Sequence, residues 1–326
     1  MADEDGGVAE QRVTVDVGGR TLAIGNLAKQ LYPDGTTKAE VISYLTAVAP
    51  ALLPHLAGRA LTMKRYPDGS SGGFFFEKRC PSHAPEWVRT VDMWVSHGSG
   101  RWGRSDGPAG REEVPFCVVD DLPTLVWLGG MAALELHTPM ARAAGAFGPD
   151  VPTMVVLDLD PGAPATAVEC AVVALRVREL LDTLGLRSVV KSSGNKGLQV
   201  YVPVNVAGTT HEAARGFAQA VALLLEKQDP ALVVSQQRKD LRPGKVLIDW
   251  LQNESFKTTV SVYSLRARER PTVSTPLAWD EVEALAGGGD PEAVQMSPRQ
   301  VLDRVAERGD LFAEAATLEQ PLPRLG

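Results

Sequence analysis

The amino-acid sequence predicts an α+β fold, and the order of elements after residue 150 carries that prediction. The stretch 154–161 is an aliphatic run ended by a proline, which is typical of a buried strand. Thr166-x-x-Glu169 and Thr209-x-x-Glu212 are capping boxes ahead of apolar segments at helical spacing, so each predicts a helix start. The order strand, helix, strand pair, helix, strand is that of a ferredoxin-like or RNA-recognition-like sheet.

The first half of the chain has shorter and more mixed patterns. We predict a hairpin over residues 13–24, a capped helix after Thr37, a strand over 61–66, and a helix over 120–144 that carries His137. A glycine-rich and arginine-rich stretch over 97–113 is expected to be a long loop.

The domain organisation follows from these elements. We expect residues 1–12 to be a disordered leader and residues 13–326 to form a single domain. Within that domain, residues 13–150 would form an N-terminal α/β module and residues 151–280 the sheet module. Residues 281–326 are acidic and would form a peripheral C-terminal segment with a helix near 298–308.

Composition narrows the cellular setting. The chain has 326 residues, and no run approaches the roughly 18 uninterrupted apolar residues that span a bilayer. The N-terminus lacks a basic region followed by an apolar one, so we predict a cytoplasmic protein with no membrane partner. Its three cysteines are widely spaced, which favours reduced thiols over a disulfide framework.

The distribution of charge bears on nucleic-acid binding. The first ten residues carry four acids and no base, and residues 280–326 carry ten acids and four bases. The stretch between them therefore has a net charge of +3, against −7 for the whole chain. Its bases are clustered, and local clusters set phosphate affinity more than the global sum does. Each cluster taken singly is equally compatible with a solvated face.

Asp158 and Asp160 interrupt the apolar run 154–161 at alternate positions. Side chains of a strand alternate in direction, so both carboxylates leave the same face. Two adjacent like charges are costly unless they are neutralised, and a divalent cation with oxygen ligands would neutralise them. The alternative is a pair of surface aspartates that cap the next helix. Asp249 interrupts a second apolar strand, and three carboxylates on adjacent strands can hold two cations.

Residues 192–197, with the sequence Ser-Ser-Gly-Asn-Lys-Gly, follow a predicted strand. Their glycines let backbone N–H groups turn toward an anion, and Lys196 adds charge, so the turn is a candidate triphosphate site. A common hairpin turn is the alternative, and the Walker A spacing is absent.

Phe75 and Phe76 flank basic residues and are candidates for stacking on bases. We expect at least one phenylalanine of the run 74–76 to be in the core. His137 is either a core histidine or a phosphate donor. Cys80-x-x-His83 lacks a matching second pair, so we interpret it as structural rather than as a zinc site.

These motifs resemble those of the polymerase domain of bacterial ligase D, in the archaeo-eukaryotic primase superfamily. The resemblance covers about residues 22–280, and the motifs occur in the family's order. The residues that carry it are Asn26-Leu27-x-Lys29, Gly35-Thr36-Thr37-Lys38, Leu61-Thr62-x-Lys64-Arg65-Tyr66-Pro67-Asp68-Gly69, Phe75-Phe76-x-Lys78, Leu134-Glu135-Leu136-His137, Leu157-Asp158-Leu159-Asp160-Pro161, Ser193-Gly194-x-Lys196-Gly197-Leu198, Ile248-Asp249-Trp250 and Tyr263-Ser264-Leu265-Arg266-x-Arg268.

The resemblance implies a primase-polymerase fold, with the active site in the cleft between the RNA-recognition-like sheet and the N-terminal module. It implies a template-dependent DNA polymerase, a nucleotidyltransferase that fills short gaps and extends ends in DNA repair. The pathway would be non-homologous end joining or excision-repair gap filling. Such enzymes use manganese well and often favour ribonucleotides. The implied partners are gapped or broken DNA with a 5′-phosphate, nucleoside triphosphates, Ku and a separate ATP-dependent DNA ligase, which would place the protein at the nucleoid.

The same resemblance assigns roles to single residues. Asp158, Asp160 and Asp249 would be catalytic and would hold two ions of Mn²⁺ or Mg²⁺. The incoming nucleotide would contact Lys64, His137, Ser193, Gly194, Lys196 and Arg266. DNA would contact Asn26, Lys29 and Lys38 through the 5′-phosphate of the downstream strand, Phe75 and Phe76 near the templating base, and Arg242 together with the 97–113 loop.

The sequence departs from the family at one position. The motif Lys-Gly-Leu is usually followed by histidine in the family, and Gln199 stands there in this chain. An amide can form hydrogen bonds but does not titrate near neutral pH. The ligase and phosphoesterase modules are also missing, so we expect either an excised domain or a stand-alone enzyme.

Two other classes of function are compatible with parts of the pattern. A DNA-end-binding module would bridge breaks without synthesis, but binding alone gains nothing from three clustered acids that face phosphates. A metal-dependent glycosyltransferase can also use an Asp-x-Asp pair. The missing Rossmann-type order and the basic clusters argue against it.

Overall fold

The computed structural model describes residues 12–96, 111–143, 151–255 and 257–323. The predicted leader, except for Arg12, and residues 97–110 of the predicted loop lie outside the described residues. The described remainder of both predictions is wrong, because Arg12 and residues 111–113 belong to strands. The elements in residues 12–152 are β1 (Arg12–Val17), β2 (Arg20–Gly25), α1 (Lys38–Leu56), β3 (Thr62–Arg65), β4 (Phe75–Glu77), β5 (Thr90–Ser96), β6 (Arg111–Cys117), α2 (Leu122–Gly130), β7 (Ala133–Thr138), β8 (Ala141–Arg142) and β9 (Val151–Pro152).

The rest of the described chain contains more strands and the remaining helices. They are β10 (Met154–Pro161), α3 (Ala167–Thr183), β11 (Val189–Ser192), β12 (Leu198–Pro203), α4 (His211–Gln228), β13 (Val233–Val234), β14 (Val246–Asp249), β15 (Thr259–Val260), β16 (Leu265–Arg266), β17 (Thr272–Val273), β18 (Pro276–Leu277), α5 (Trp279–Ala286), α6 (Pro298–Arg308) and α7 (Glu314–Thr317).

The largest sheet has six strands in the order β13-β14-β10-β12-β11-β18. β10 pairs antiparallel with both β12 and β14, and α3 and α4 form the two crossovers. The sheet's four central strands lie in the order β14-β10-β12-β11. Numbered along the chain, these are the fourth, first, third and second strands of the unit, which is the split β-α-β arrangement. The prediction of an α+β fold with this sheet is therefore confirmed.

Each face of the six-stranded sheet packs on a different layer. Leu157 and Leu159 of β10 point to one side and share a buried cluster with residues of α3 and α4. Val156 of β10 and Tyr201 of β12 belong to a second cluster that is built largely around α1. The sheet is therefore covered by helices on one face and by the first half of the chain on the other.

A four-stranded sheet, in the order β15-β7-β3-β4, forms the other wall. β7 contradicts the predicted helix over 120–144, because α2 ends at Gly130 and His137 lies on a strand. Ala132 has a φ of 55°, a left-handed conformation that cannot continue a helix. Beyond it, buried Leu134 and Leu136 alternate with Glu135 and His137, which is the period of a strand.

The helix α1 is the central helix of the second cluster. It begins after Thr37, whose capping box with Glu40 is formed as predicted. By length and composition alone α1 is apolar enough to cross a membrane, but half of its apolar window is buried inside the molecule. Core helices of globular proteins pass the same test, so the helix carries no argument for a membrane.

The C-terminal segment contributes to the same cluster. Val301, Phe312 and Ala315 are buried there against residues of α1. Asp310 joins this segment to the rest by accepting a hydrogen bond from the Tyr263 hydroxyl at 2.7 Å and by pairing with His55 Nε2 at 2.8 Å.

Of the two capping boxes predicted after residue 150, one is confirmed and the other is wrong. The capping box Thr166–Glu169 starts α3 as predicted. The box predicted from Thr209 to Glu212 is wrong, because the N-cap of α4 is Thr210, whose hydroxyl accepts from the Ala213 N–H at 3.1 Å. That hydroxyl already satisfies the donor three residues ahead, so the helix starts one residue later.

The cysteine prediction is wrong for two of the three thiols. Cys80 and Cys117 form a disulfide with their Cα atoms 5.0 Å apart, and Cys170 is a buried free thiol. The two partners are separated by 37 residues, and the backbone N–H of Cys80 donates to the carbonyl of Pro115, two residues before Cys117. The disulfide gives Cys80 a structural role, which agrees with the interpretation of Cys80-x-x-His83 as structural.

Candidate active site

Three carboxylates meet on one face of the six-stranded sheet. Asp158 and Asp160 leave the same face of β10 because alternate strand residues point the same way. The register of β10 with β14 places Asp249 directly opposite Asp158. Directly opposite residues of an antiparallel pair have their Cβ atoms about 5 Å apart. The structure therefore brings together the three acids that the sequence singled out.

Neighbouring donors fix the position of two of these carboxylates. Gln199 lies opposite Asp158 on β12, and its Nε2 donates to Asp158 Oδ1 at 3.0 Å. Asp249 accepts hydrogen bonds from the Leu251 N–H at 3.0 Å and from Gln252 Nε2 at 2.9 Å. Because β14 ends at Asp249, this carboxylate also caps the 3-10 turn that follows.

The electrostatics of the cluster call for a cation. Burial and then the charge of Asp160 raise the pKa of Asp158 to about 8. Desolvation and then the charge of Asp249 also raise the pKa of Asp160, although the charges of Arg242 and Arg266 oppose that effect. Carboxylates this close resist being ionised together unless positive charge is supplied.

The donor set fits a hard divalent cation. Carboxylate oxygens are the ligands that Mg²⁺ and Mn²⁺ prefer, and Asp158, Asp160 and Asp249 project from two rigid neighbouring strands. In the part of the chain that the structure describes, no three His, Cys, Asp or Glu side chains are grouped closely enough to hold a metal ion by themselves. Water and substrate oxygens would complete the coordination, as is usual for Mg²⁺.

The hairpin 192–197 lies beside these carboxylates, between β11 and β12. Ser193 Oγ accepts from the N–H groups of Asn195 and Gly197 at 3.3 and 3.2 Å, and Ser192 Oγ accepts from the Gly194 N–H at 3.3 Å. These three backbone donors are thus used inside the turn and do not form the outward-facing nest that the sequence suggested. The hydroxyl hydrogen of Ser193 and the exposed Lys196 remain as donors toward solvent.

Lys64 and His137 lie on neighbouring strands of the four-stranded sheet and meet at Glu135. The register places Lys64 opposite Glu135, and its Nζ lies 3.6 Å from Glu135 Oε1. His137 Nε2 lies 3.1 Å from Glu135 Oε2. Tyr66 OH and the Ala267 N–H also donate to Oε1, each at 3.2 Å. Glu135 is therefore the common acceptor of this group.

The titration behaviour of the group fits one buried anion among cations. Burial alone would raise the pKa of Glu135, but the His137 hydrogen bond and the charges of Arg266 and Lys64 outweigh it and lower the pKa to about 2. Burial lowers the pKa of His137, against the opposite effect of Glu135. At neutral pH the carboxylate is ionised and the imidazole is neutral.

Arg266 connects the two walls of the cleft. Its Nε lies 3.6 Å from Glu135 Oε1 of the four-stranded sheet, and its Nη1 donates to the Ser193 carbonyl at 3.1 Å. A Cβ atom on Gly194, which has a φ of 69°, would lie 2.7 Å from Arg266 Cγ and 2.8 Å from Ser274 N. Only glycine therefore lets the hairpin approach the arginine this closely.

The phenylalanines of residues 74–76 correct one expectation. All three are exposed, so the prediction that at least one is in the core is wrong. The rings of Phe74 and Phe76 lie 4.0 and 5.7 Å from Lys64 Nζ, and Phe76 also contacts His137. Phe75 instead contacts Arg65 on the other face of β4. Phe75 and Phe76 thus present their rings on opposite faces.

The predicted 5′-phosphate ligands form a second group around the N-terminus of α1. Lys38 is the first residue of α1, and its Nζ donates to the Gly25 carbonyl at 3.0 Å. Asn26 has a φ of 57° and accepts from the Lys29 N–H at 3.0 Å. Lys29 Nζ lies 3.3 Å from Asp68. A helix N-terminus with two lysines is a favourable place for a phosphate.

Arg242 lies near the open end of β10. A Cβ atom on Gly162 would lie 2.1 Å from the Arg242 carbonyl, so the two backbones pack without room for a side chain. The Gly162 N–H donates to the Lys245 carbonyl at 2.8 Å, and Gly244 donates back to Gly162 at 2.9 Å. This contact holds Arg242 close enough to Asp160 to influence its pKa.

Sequence reasoning gave no role to two residues that organise the site. Glu135 was part of a motif, and its position two residues from His137 on an alternating strand was the available signal. Lys191 is buried, its Nζ donates to Gln199 Oε1, and it donates to Ser274 Oγ at 2.7 Å. Its only signal was a lysine inside an apolar strand.

Comparison with known proteins gives one family. The model of the LigD primase-polymerase domain matches residues 37–312. The multifunctional non-homologous end joining DNA repair protein LigD of Mycobacterium tuberculosis is 38% identical over 313 residues, which cover 94% of this chain and 37% of that protein. The bifunctional non-homologous end joining protein LigD of Bacillus subtilis is 34% identical over 248 residues, which cover 76% of this chain and 37% of that protein. The chain thus spans somewhat over a third of these relatives.

A solved structure agrees with the family model. The polymerase domain from Mycobacterium tuberculosis ligase D in complex with DNA superposes with a TM-score of 0.81 at 37% identity, and the match covers 92% of this chain and 99% of that one. The predicted primase-polymerase fold is therefore confirmed. The fold, the family model and the relatives agree, and this chain belongs to the LigD primase-polymerase domain family.

Proposed function

We propose that this chain is a template-dependent nucleotidyltransferase of DNA repair that extends a primer strand in short gaps and at broken ends. The 3′-hydroxyl would attack the α-phosphate of a nucleoside triphosphate. A new P–O bond forms, the bond to the bridging oxygen breaks, and pyrophosphate leaves. The family membership and the charge pattern of the cleft support the proposal.

One observation carries the proposal. Arg266 joins the cations of the four-stranded sheet to the hairpin 192–197, so a basic side of the site adjoins the carboxylates of β10 and β14. A triphosphate has its charge concentrated at the β- and γ-phosphates, which suits the basic side. The reacting α-phosphate would then lie toward the carboxylates. A binding module would have no use for three acids at that position.

The residues of this chain divide the work as follows. Asp158, Asp160 and Asp249 would hold a divalent cation, which when bound lowers the pKa of an attacking hydroxyl and neutralises phosphate charge. Lys64 and Arg266, held by Glu135, would bind the triphosphate by charge. Ser193 and Lys196 would add donors from the hairpin, and His137, whose single N–H at pH 7 is engaged with Glu135, would line the nucleotide site.

The finer features of the proposal come from the resemblance described above. They are a preference for ribonucleotides, a site for two ions with Mn²⁺ as a good metal, and recognition of a 5′-phosphate by Asn26, Lys29 and Lys38. Ku and a separate ATP-dependent ligase would be the partners in end joining at the nucleoid. Exposed Phe76, beside Lys64, would stack near the templating base.

Primer extension on a one- to three-nucleotide gap with a 5′-phosphate tests the proposal. Wild-type protein and Asp158→Ala would be compared with Mn²⁺ or Mg²⁺, and with ribonucleotides and deoxyribonucleotides in separate lanes. Extension by the wild type and none by the variant is expected. No extension by either, with tight binding to the phosphorylated gap, would overturn the polymerase and favour an end-bridging module.

A further inference from the structure

Gln199 occupies a special position beside the carboxylate cluster. It lies directly opposite Asp158 on β12, it is 3% exposed, and its Nε2 donates to Asp158 Oδ1 at 3.0 Å. The resemblance described above implies a histidine there, and the sequence alone indicates only that an amide does not titrate. The structure shows where each end of the amide points.

The other end of the amide is held by two buried donors. Lys191 Nζ donates to Gln199 Oε1, and Tyr201 OH donates to the same oxygen at 3.2 Å. Lys191 is 1% exposed and is fixed in turn by Ser274 Oγ at 2.7 Å. A glutamine can turn its amide over, but the reversed orientation would set its NH₂ group against the N–H donors of Lys191 and its carbonyl oxygen against the Asp158 carboxylate. Both contacts would be repulsive, so the orientation is determined from two sides.

We propose that Gln199 is a positioning residue for Asp158, and that Lys191 sets the orientation of the Gln199 amide. The amide takes up Asp158 Oδ1 and leaves Oδ2 for a cation. The carboxylate thus presents one oxygen in one direction to a cation. This inference rests on the proposed function, because the cation is the one that the three carboxylates would share.

The proposal predicts an effect on cation affinity that does not require catalysis. Gln199→Met keeps the length of the side chain but removes the donor, so Asp158 would be free to rotate. Loss of such a supporting hydrogen bond typically weakens metal binding about 10- to 100-fold. Tyr201→Phe is the matched control, because it removes one donor to Oε1 and leaves both Lys191 and the contact with Asp158.

Lys191→Met tests the second half of the proposal through the sign of its effect. Removing a positive charge near the carboxylates would by itself tighten cation binding. Losing the orientation of the amide would weaken it. Weaker binding in this variant supports the orienting role, and equal or tighter binding overturns it.

The experiment is a titration of the full chain with Mn²⁺, in which electron paramagnetic resonance counts the free ion. Wild type, Asp158→Ala, Gln199→Met, Lys191→Met and Tyr201→Phe would be compared, with thermal unfolding in chelator to show that each is folded. We expect a 10- to 100-fold higher Kd for Gln199→Met, a smaller increase for Lys191→Met, and a change of less than threefold for Tyr201→Phe.

The outcomes separate this inference from the proposed function. Wild-type affinity in Gln199→Met, together with loss of binding in Asp158→Ala, would overturn the inference and leave the carboxylate site intact. Binding that does not depend on Asp158 would count against the proposed function itself. As a second readout, the Mn²⁺ concentration for half-maximal primer extension should rise in Gln199→Met, while the affinity for phosphorylated gapped DNA stays unchanged.

Discussion

Glu135 allows a quantitative prediction, because one buried carboxylate serves Lys64, His137 and Arg266. Glu135→Gln keeps the size of the side chain and an oxygen that can accept from Tyr66 OH and the Ala267 N–H, but removes the charge. The folded-state pKa of about 2 lies about 2.5 below the usual 4.5. At 1.36 kcal/mol per pKa unit, this corresponds to roughly 3 kcal/mol of stability at neutral pH.

The sign of the pH dependence follows from the direction of the shift. The folded-state pKa of Glu135 is lowered, so its contribution is complete above about pH 4.5 and is lost as the pH falls toward 2. The difference in unfolding free energy between wild type and Glu135→Gln should therefore be about 3 kcal/mol at pH 6. It should shrink to about 1 kcal/mol at pH 3, because the unfolded wild-type chain has by then taken up its proton.

Urea unfolding followed by circular dichroism, at pH 6 and pH 3, measures both values. Glu77→Gln is the matched control, since Glu77 pairs with Arg65 at 2.8 Å on the neighbouring strand and is more exposed. Its loss should cost less than about 1 kcal/mol. A difference for Glu135→Gln that is below 1 kcal/mol at pH 6, or that does not shrink at pH 3, would refute the reasoning. In primer extension, the KM for the nucleotide should rise about tenfold or more.

Three other substitutions test the packing around the cleft. Gly197→Ala should reduce primer extension by at least tenfold, because its Cβ would lie 2.3 Å from a carbonyl oxygen of β10; wild-type rates would contradict this. Asn253→Ala should lower the unfolding free energy, measured in urea, by about 2–5 kcal/mol. Asn253 forms hydrogen bonds with both the N–H and the carbonyl of Val156 at 2.8 Å, and the substitution would leave each group buried and unpaired. A loss below about 1 kcal/mol would contradict this. Cys80→Ser should lower the unfolding free energy by about 2–4 kcal/mol without reductant, because it breaks the disulfide to Cys117. Wild-type protein in dithiothreitol should show the same loss. Equal stability of the wild type with and without dithiothreitol would contradict the pairing.

The parts of the site that the sequence predicted are those set by local periodicity. Asp158 and Asp160 share a face because strand residues alternate, and the pattern needs no partner to be recognised. Their opposition to Asp249 followed once two apolar strands were expected in one sheet. The capping box at Thr166 was likewise readable, because both of its members lie within one turn.

The parts that the sequence missed depend on distant partners. The helix predicted over 120–144 continues through His137, because alanine favours helices and the sequence does not show that Ala132 adopts a positive φ. The role of Glu135 arises only when Lys64 and Arg266 are brought to it from other strands. The Cys80–Cys117 disulfide is likewise invisible in spacing alone.

The two contacts of Arg266 have a consequence for how the site is held together. Its guanidinium group lies 3.6 Å from Glu135 Oε1 and donates to the Ser193 carbonyl at 3.1 Å, so one rigid planar group sets the distance between the four-stranded sheet and the hairpin 192–197. Lysine could reach one wall but not both, because its single nitrogen lacks that fork. Arg266 therefore keeps the hairpin 192–197 at a fixed distance from Glu135, and substitution by lysine would release one of the two.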